Sequence, residues 1–329
     1  MLHITNGDAA VSRLQATGLG GEYLAWRDVL HEGPVPAGLS LEQLRPIRAR
    51  FIAEQGWADD EQVVLADFVQ RDTTLAGCQK YDEVVLWFEH DLYDQLQLIQ
   101  LLDWFAHHEC GVTRLNIVIT DRYLGTLGPA EMNQLFHDRQ LVTASQLMLG
   151  QTAWAAFRSP DPRQIEDVLQ SDTAALPFLA AALRRHLEQF PSVEDGLSRS
   201  EAQALQVIAQ GTQSVRDAYS AAHTAVEDPI FLGDTTFASY LESLSQSAQP
   251  LVLFADGQPI RVPRQGLAAH AFWDAMVKIT RAGTAVLAGQ ADRIVLSGID
   301  RWLGGVHLQA TGPIWRWNRA VRRLQLEQK

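Results

Sequence analysis

The fold is restricted above all by a repeated junction, in which an apolar run breaks at once into ionisable residues. Leu2–Thr5 runs into Asn6-Gly7-Asp8, Tyr23–Trp26 into Arg27-Asp28 and on to Glu32-Gly33-Pro34, and Val84–Phe88 into Glu89-His90-Asp91. Val84–Phe88 shows no alternation, the pattern of a central strand buried on both faces. Helical patterns lie between these runs. Ala9–Ala16 is closed by Gly18, Gly20 and Gly21, and Ser40 with Gln43 makes a capping box for a helix to about Glu54. Asp59 or Asp60 opens another that passes Phe68, and Leu92–His107 is apolar over more than half its girth. Leu115–Ile119 reads as a fourth strand. This alternation predicts an α/β fold, a parallel Rossmann-like sheet with flanking helices over residues 1–128. Ligands of such sheets bind outside the carboxyl ends of the strands, which is where the charged clusters fall.

From 129 to 195 the pattern is helical, with Pro129–His137, Ala144–Phe157 and Leu176–Phe190 interrupted at Ser159-Pro160-Asp161-Pro162, and a connector is expected. Residues 196–329 read differently. Ser198 and Glu201 cap a helix to Gly211, Ser214–Val226 and Asp234–Ser247 make two more, and strand signals follow at Leu251–Phe254, Ala285–Leu287 and Ile294–Leu296. Three helices before a hairpin resemble a winged helix-turn-helix, with Lys278-Ile279-Thr280-Arg281-Ala282-Gly283 at the position of a wing entry.

Charge separates the two ends. The net charge is −12 over 329 residues, but residues 1–150 carry 10 Lys/Arg against 21 Asp/Glu, while residues 248–329 carry 11 against 5. The front half repels a nucleic-acid backbone and the tail attracts one. No apolar run is long enough to span a bilayer, no secretory leader is expected at the start, and two cysteines, Cys78 and Cys110, cannot make a framework of bridges or a thiolate zinc site. A cytoplasmic location without membrane association is the expectation.

The junctions supply the candidate site. Asn6 and Gly7 open a helix whose N–H groups can hold an anion, with Asp8 either a helix cap or a ligand. Arg27 suits a phosphate or carboxylate clamp, and His31 suits proton transfer, with Asp28 or Glu32 setting its tautomer. Glu89 and Asp91, if still extended, share a face and can hold a divalent cation together, with His90 directed elsewhere. Asp91 with Asp94 also meets the capping preferences of the next helix. Gln95 and Arg71 complete the set, Arg71 either joining the cluster or pairing with Asp72. Walker, dinucleotide-binding and Gly-x-Ser-x-Gly motifs are absent. In the tail, Arg261, Arg264, Lys278, Arg281, Arg293 and the Arg316–Arg323 group are candidates for phosphate contact, but Asp234–Ser247 holds no Lys or Arg to read bases.

The phrases Trp-Arg-Asp-Val-Leu-His-Glu-Gly-Pro from Trp26 and Trp-Phe-Glu-His-Asp-Leu-Tyr-Asp-Gln from Trp87, together with His3–Asp8, resemble a bacterial family known as domain of unknown function 1835. That resemblance implies a bacterial cytoplasmic protein and brings no activity or residue role. The expectation from the residues is an enzyme acting on a small anionic substrate, a nucleotide or phosphate ester, with a divalent metal as the possible cofactor. The alternative is a ligand-responsive regulator or adaptor whose C-terminal part binds DNA or protein.

Overall fold

The computed structural model describes residues 1–211, 213–263 and 267–328. The chain divides into two compact units, one of residues 1–51, 60–184 and 304–306, the other of 52–59, 185–303 and 307–329. The stretch expected as a connector is thus divided, with its helices to residue 184 counted in the first unit.

The first unit is built from β1 (Leu2–Thr5), α1 (Asp8–Gln15), β2 (Glu22–Ala25), the two-residue β3 (Gly33–Pro34), α2 (Leu41–Glu54), α3 (Glu61–Ala76), β4 (Glu83–Phe88), α4 (Leu92–His107), β5 (Arg114–Ile119), α5 (Pro129–His137), β6 (Gln140–Leu141), α6 (Ala144–Phe157) and α7 (Arg163–Gln170). Its main sheet has the order β2-β1-β4-β5-β6. The first four strands are parallel, with Leu2 opposite both Glu22 and Val84, and Val84 opposite Leu115; β6 is antiparallel to β5. From β1 the chain first adds a strand on one side and then returns to add β4 on the other. The strand order therefore reverses between β1 and β4, the place where an open α/β sheet forms its ligand crevice.

Every residue of β4 is buried. On one face Val85, Trp87 and Val118 pack with Ala10 and Leu14 of α1 and Met132 of α5. By alternation Val84, Leu86 and Phe88 face the other side, and α4, which touches β4, packs along α6. The helix starts follow the capping chemistry expected of them. Ser40 Oγ accepts from the Gln43 N–H at 3.3 Å, and Asp60 Oδ1 accepts from the Gln62 N–H at 2.7 Å. Arg71 and Asp72, expected between a helix and the third strand, lie inside α3.

Cys78 and Cys110 are joined in a disulfide, with Cα atoms 5.6 Å apart. Cys78 precedes β4 and Cys110 precedes β5, so pairing of these two strands brings the cysteines together at the edge opposite the crevice. Among the described residues no helix is long and apolar enough to cross a membrane.

The second unit contains α9 (Arg199–Ala209), β7 (Gln213–Ser214), α10 (Val215–Tyr219), α11 (Asp234–Ser245), β8 (Val252–Phe254), α12 (Leu267–Asp274) and β9 (Met276–Ile279); α8 (Leu179–Leu187) straddles the boundary. β7, β9 and β8 form a small antiparallel sheet in that order. Two expected strands are corrected: Ala285–Leu287 ends α13 (Arg281–Leu287), and Ile294–Leu296 lies in α14 (Arg293–Ser297). The reason is capping. Thr280 Oγ1 accepts from the Gly283 N–H at 3.1 Å, and Asp292 Oδ1 accepts from the N–H groups of Ile294 and Val295 at 2.8 and 3.0 Å, so these short apolar runs close as helical turns. β10 (Asp300–Gly304) and β11 (Val306–Gln309) come next, and the hairpin β12 (Ile314–Asn318) and β13 (Arg323–Glu327) follows them. At the expected wing entry, Lys278–Gly283, β9 pairs with β8 and the run from Arg281 closes as the helix α13.

Candidate functional site

The crevice is framed by Asn6, one residue past β1, and Glu89, one residue past β4. After Glu89 the chain turns into α4, whose N-cap is Asp91, with Oδ1 accepting from the Asp94 N–H at 3.0 Å. Asp94 folds back over the turn, its Oδ1 accepting from the Glu89 N–H at 2.6 Å. Its other oxygen accepts from Asn6 Nδ2 at 2.8 Å, which ties the end of β1 to the start of α4. Glu89 Oε1 accepts from the Leu124 N–H at 2.8 Å, Gln95 Nε2 donates to the Glu89 carbonyl at 2.6 Å, and the Tyr93 hydroxyl donates to the Asn6 carbonyl at 3.3 Å.

Glu89, Asp91 and Asp94 can each present one carboxylate oxygen with all three atoms within 4.8 Å of one another. The side chains are buried, at 5%, 4% and 1% exposure. Burial pushes all three carboxyls above their usual range, and mutual repulsion adds to the rise at Asp91 and Asp94. The groups that oppose the rise are hydrogen-bond donors, among them the Leu124 N–H at Glu89 and the Asn6 amide at Asp94. Three buried oxygen donors of this kind fit a hard divalent cation such as Mg²⁺, Mn²⁺ or Ca²⁺ and suit no soft metal.

The remaining expected site residues are distributed differently. Arg27 is 46% exposed and already engaged: Nη2 and Nε donate to the two Asp8 oxygens at 2.6 and 2.8 Å, and Nη1 donates to Asp67 at 2.9 Å. Asp8 is not the N-cap of α1, a position taken by Gly7, which makes no side-chain cap. Asp28 is buried beneath Arg48, whose Nη2 and Nε reach its Oδ1 at 2.7 and 3.0 Å while Nη1 donates to the Glu32 carbonyl. That pair braces the 28–34 turn, closed by Gly33 at φ +79°, where a Cβ would come within 2.5 Å of the Phe51 ring. His31 and Glu32 are buried in the same turn, and the His31 ring meets Tyr93 edge-on at 6.1 Å. His90 lies against Tyr123 and Phe178. Arg71 is buried, its guanidinium 4.0 Å from the Trp26 ring and its Nε donating to Asp72 at 2.9 Å.

Of the tail residues, Arg261 and Arg281 are exposed, Lys278 Nζ donates to the Ala255 carbonyl, and Arg264 lies outside the described residues. Arg293 Nη1 donates to the Gly298 carbonyl, and Arg316 donates to Asp292. α11 buries Phe237, Ala238, Tyr240, Leu241 and Leu244.

The structure thus gathers Asn6, Glu89, Asp91 and Gln95, and adds Asp94, which the sequence reading had used only as a helix cap. No protein-family model matches the chain, and no curated protein does so.

Proposed function

We propose that this chain is a divalent-cation-dependent enzyme acting on a small phosphorylated substrate, a nucleotide or phosphate ester, in the crevice between β1 and β4. One observation carries the reading: three buried carboxylates converge where the strand order reverses. Glu89, Asp91 and Asp94 would hold the cation, which when bound supplies Lewis-acid polarisation of a phosphoryl oxygen and a more acidic water. Asn6 holds Asp94 in place through its amide. The first turn of α1 has no side-chain cap, so its free N–H groups offer an anion cradle beside the crevice. Arg27, held by Asp8 and Asp67, contributes to this surface as part of an ion-pair network rather than as the anion clamp. The motif likeness to family 1835 belongs to the same reading and adds no residue role.

The test is calorimetric titration of the metal-free chain with Mn²⁺, followed by phosphate release from a panel of nucleotides and sugar phosphates. Cation binding and cation-dependent turnover, both lost in Glu89→Gln and Asp94→Asn, are expected. Absence of both in the folded wild type overturns the proposal.

A second reading keeps the regulator. Its support is the order α9, β7, α10, α11, β8, β9 with the sheet β7-β9-β8, which resembles that of a winged helix. The acidic, largely buried α11 speaks against base reading, so on this reading the second unit binds protein, or binds phosphates through its exposed arginines.

A further inference from the structure

A cavity of about 410 Å³ lies within the second unit, between one face of α9 and the turn that joins β12 to β13. None of Asn6, Glu89, Asp91 or Asp94 lines it. Its wall holds three arginines, Arg199, Arg319 and Arg322, and a single carboxylate, Glu188. We propose that this cavity binds a phosphate monoester, with the phosphate seated among the three guanidiniums.

Acids outside the cavity hold two of these arginines in place. Arg319, just past β12, donates through Nη1 and Nη2 to the two oxygens of Asp195 at 2.8 and 3.1 Å, and its Nε lies 3.9 Å from Glu194. Arg199 opens α9; its Nη1 donates to Glu188 Oε2 at 2.7 Å, and its Nε stands 3.4 Å from Glu227 Oε1. Asp195 and Glu227 are buried and line no part of the cavity, and Glu227 is shared with Arg185, whose Nη2 donates to it at 2.9 Å. A guanidinium carries five N–H donors, so Arg199 and Arg319 are fixed in position with donors left over. Both side chains stay 41% exposed, within reach of a ligand.

Arg322 is the third, and among the described residues it is the one non-glycine with a positive φ, at +53°. Glycine takes this conformation freely, so an arginine here keeps a guanidinium at the cavity at a local cost in backbone strain. That guanidinium makes no hydrogen bond or ion pair with any described residue. Charge and shape then define the ligand. Three guanidiniums against one carboxylate leave the wall with an excess of two positive charges, which a phosphate monoester balances near neutral pH. A carboxylate or a phosphodiester carries a single charge and balances half of it. The volume is within the range of small-molecule sites, so the organic part of the ester has room beside the phosphate. The phosphates of a DNA duplex are single charges spread along a convex rod, and such a rod presents no dianion to a recess.

This proposal does not rest on the cation site, and its test separates the two. The full-length chain, stripped of divalent cations and kept at fixed ionic strength, is titrated by calorimetry with phenyl phosphate, glycerol phosphate and adenosine monophosphate. Methyl phenyl phosphate serves as the singly charged diester, benzoate as the carboxylate, and a short DNA duplex as the polymer. Saturable binding of at least one monoester is expected, weakened about tenfold or more in Arg322→Gly and unchanged in Asp94→Asn. Glycine accommodates the positive φ, so Arg322→Gly keeps the fold, as its urea midpoint verifies. Four results overturn the assignment: no monoester binding at millimolar concentration by folded wild type, monoester binding unchanged in Arg322→Gly, monoester binding lost in Asp94→Asn, or binding of the diester, benzoate or the duplex as tightly as the monoesters.

Discussion

Asp91→Asn tests the electrostatics of the crevice most directly, because asparagine is as good an N-cap as aspartate and the helix start is kept. Burial first, and then the Glu89 charge, move the Asp91 carboxyl from 3.8 to about 7. The folded chain therefore keeps a proton that the unfolded chain releases, and wild type loses stability as pH rises through that window. Below the unfolded value the full stability is present. A rise of about 3 pH units corresponds to about 4 kcal/mol, an upper figure because Glu89 and Asp94 share the repulsion. The variant has no such titration, so its advantage grows from about zero at pH 4 to as much as about 4 kcal/mol at pH 8. Mn²⁺ at a hundred times its dissociation constant returns about 2.7 kcal/mol to wild type at the higher pH and much less to the variant. Urea unfolding of the metal-free proteins by circular dichroism measures this, with hydrogen exchange of the β4 amides identifying the transition of the first unit. Parallel pH profiles for the two proteins, or equal stabilisation of both by Mn²⁺, refute the reasoning.

Arg48→Met leaves Asp28, 3% exposed, buried without its cation and lowers stability in urea unfolding by about 3–5 kcal/mol. Arg27→Ala breaks ion pairs that face solvent and changes stability by less than about 1 kcal/mol in the same measurement. Gly150→Ala places a Cβ 2.4 Å from the Leu102 Cβ where α6 crosses α4, and lowers stability in urea unfolding by about 1–3 kcal/mol. Reduction of Cys78–Cys110, which closes a separation of 32 residues, lowers stability by about 3.5 kcal/mol on the chain-entropy account, and thiol titration of the unreduced, unfolded chain finds no free cysteine.

The parallel sheet was legible because each of its signals is local. Val84–Phe88 carries the burial of a central strand in its composition, and Ser40, Asp60 and Ser198 announce their helices by capping chemistry that needs no tertiary context. Where the reading failed, a cap was overlooked or a partner was distant. Ala285–Leu287 and Ile294–Leu296 are apolar enough for strands, and only Thr280 and Asp292 a few residues earlier decide for helix. Arg27 looked like a free anion clamp because Asp67, forty positions away, could not be placed beside it. Asp28 looked available for the same reason, since Arg48 reaches it across the turn from α2.

The carboxylate cluster was half legible, and the half that was missed carries the functional argument. Glu89 and Asp91 read from the sequence as a pair sharing one face, but Asp94 satisfies the grammar of a helix start so completely that local reading leaves it there. What changes this is the sheet order. With β4 beside β1, Asn6 reaches Asp94, and Asp94 is drawn in until no more than 1% of it is exposed. Capping α4 requires one carboxylate at its first position and tolerates a second in solvent; it does not require a third, nor the burial of all three. Charge held this deep is costly without a counter-ion. At low pH protons can supply the balance. Near neutrality the three acids need something more, and a divalent cation answers to their spacing, their hardness and their position at the reversal point of the sheet.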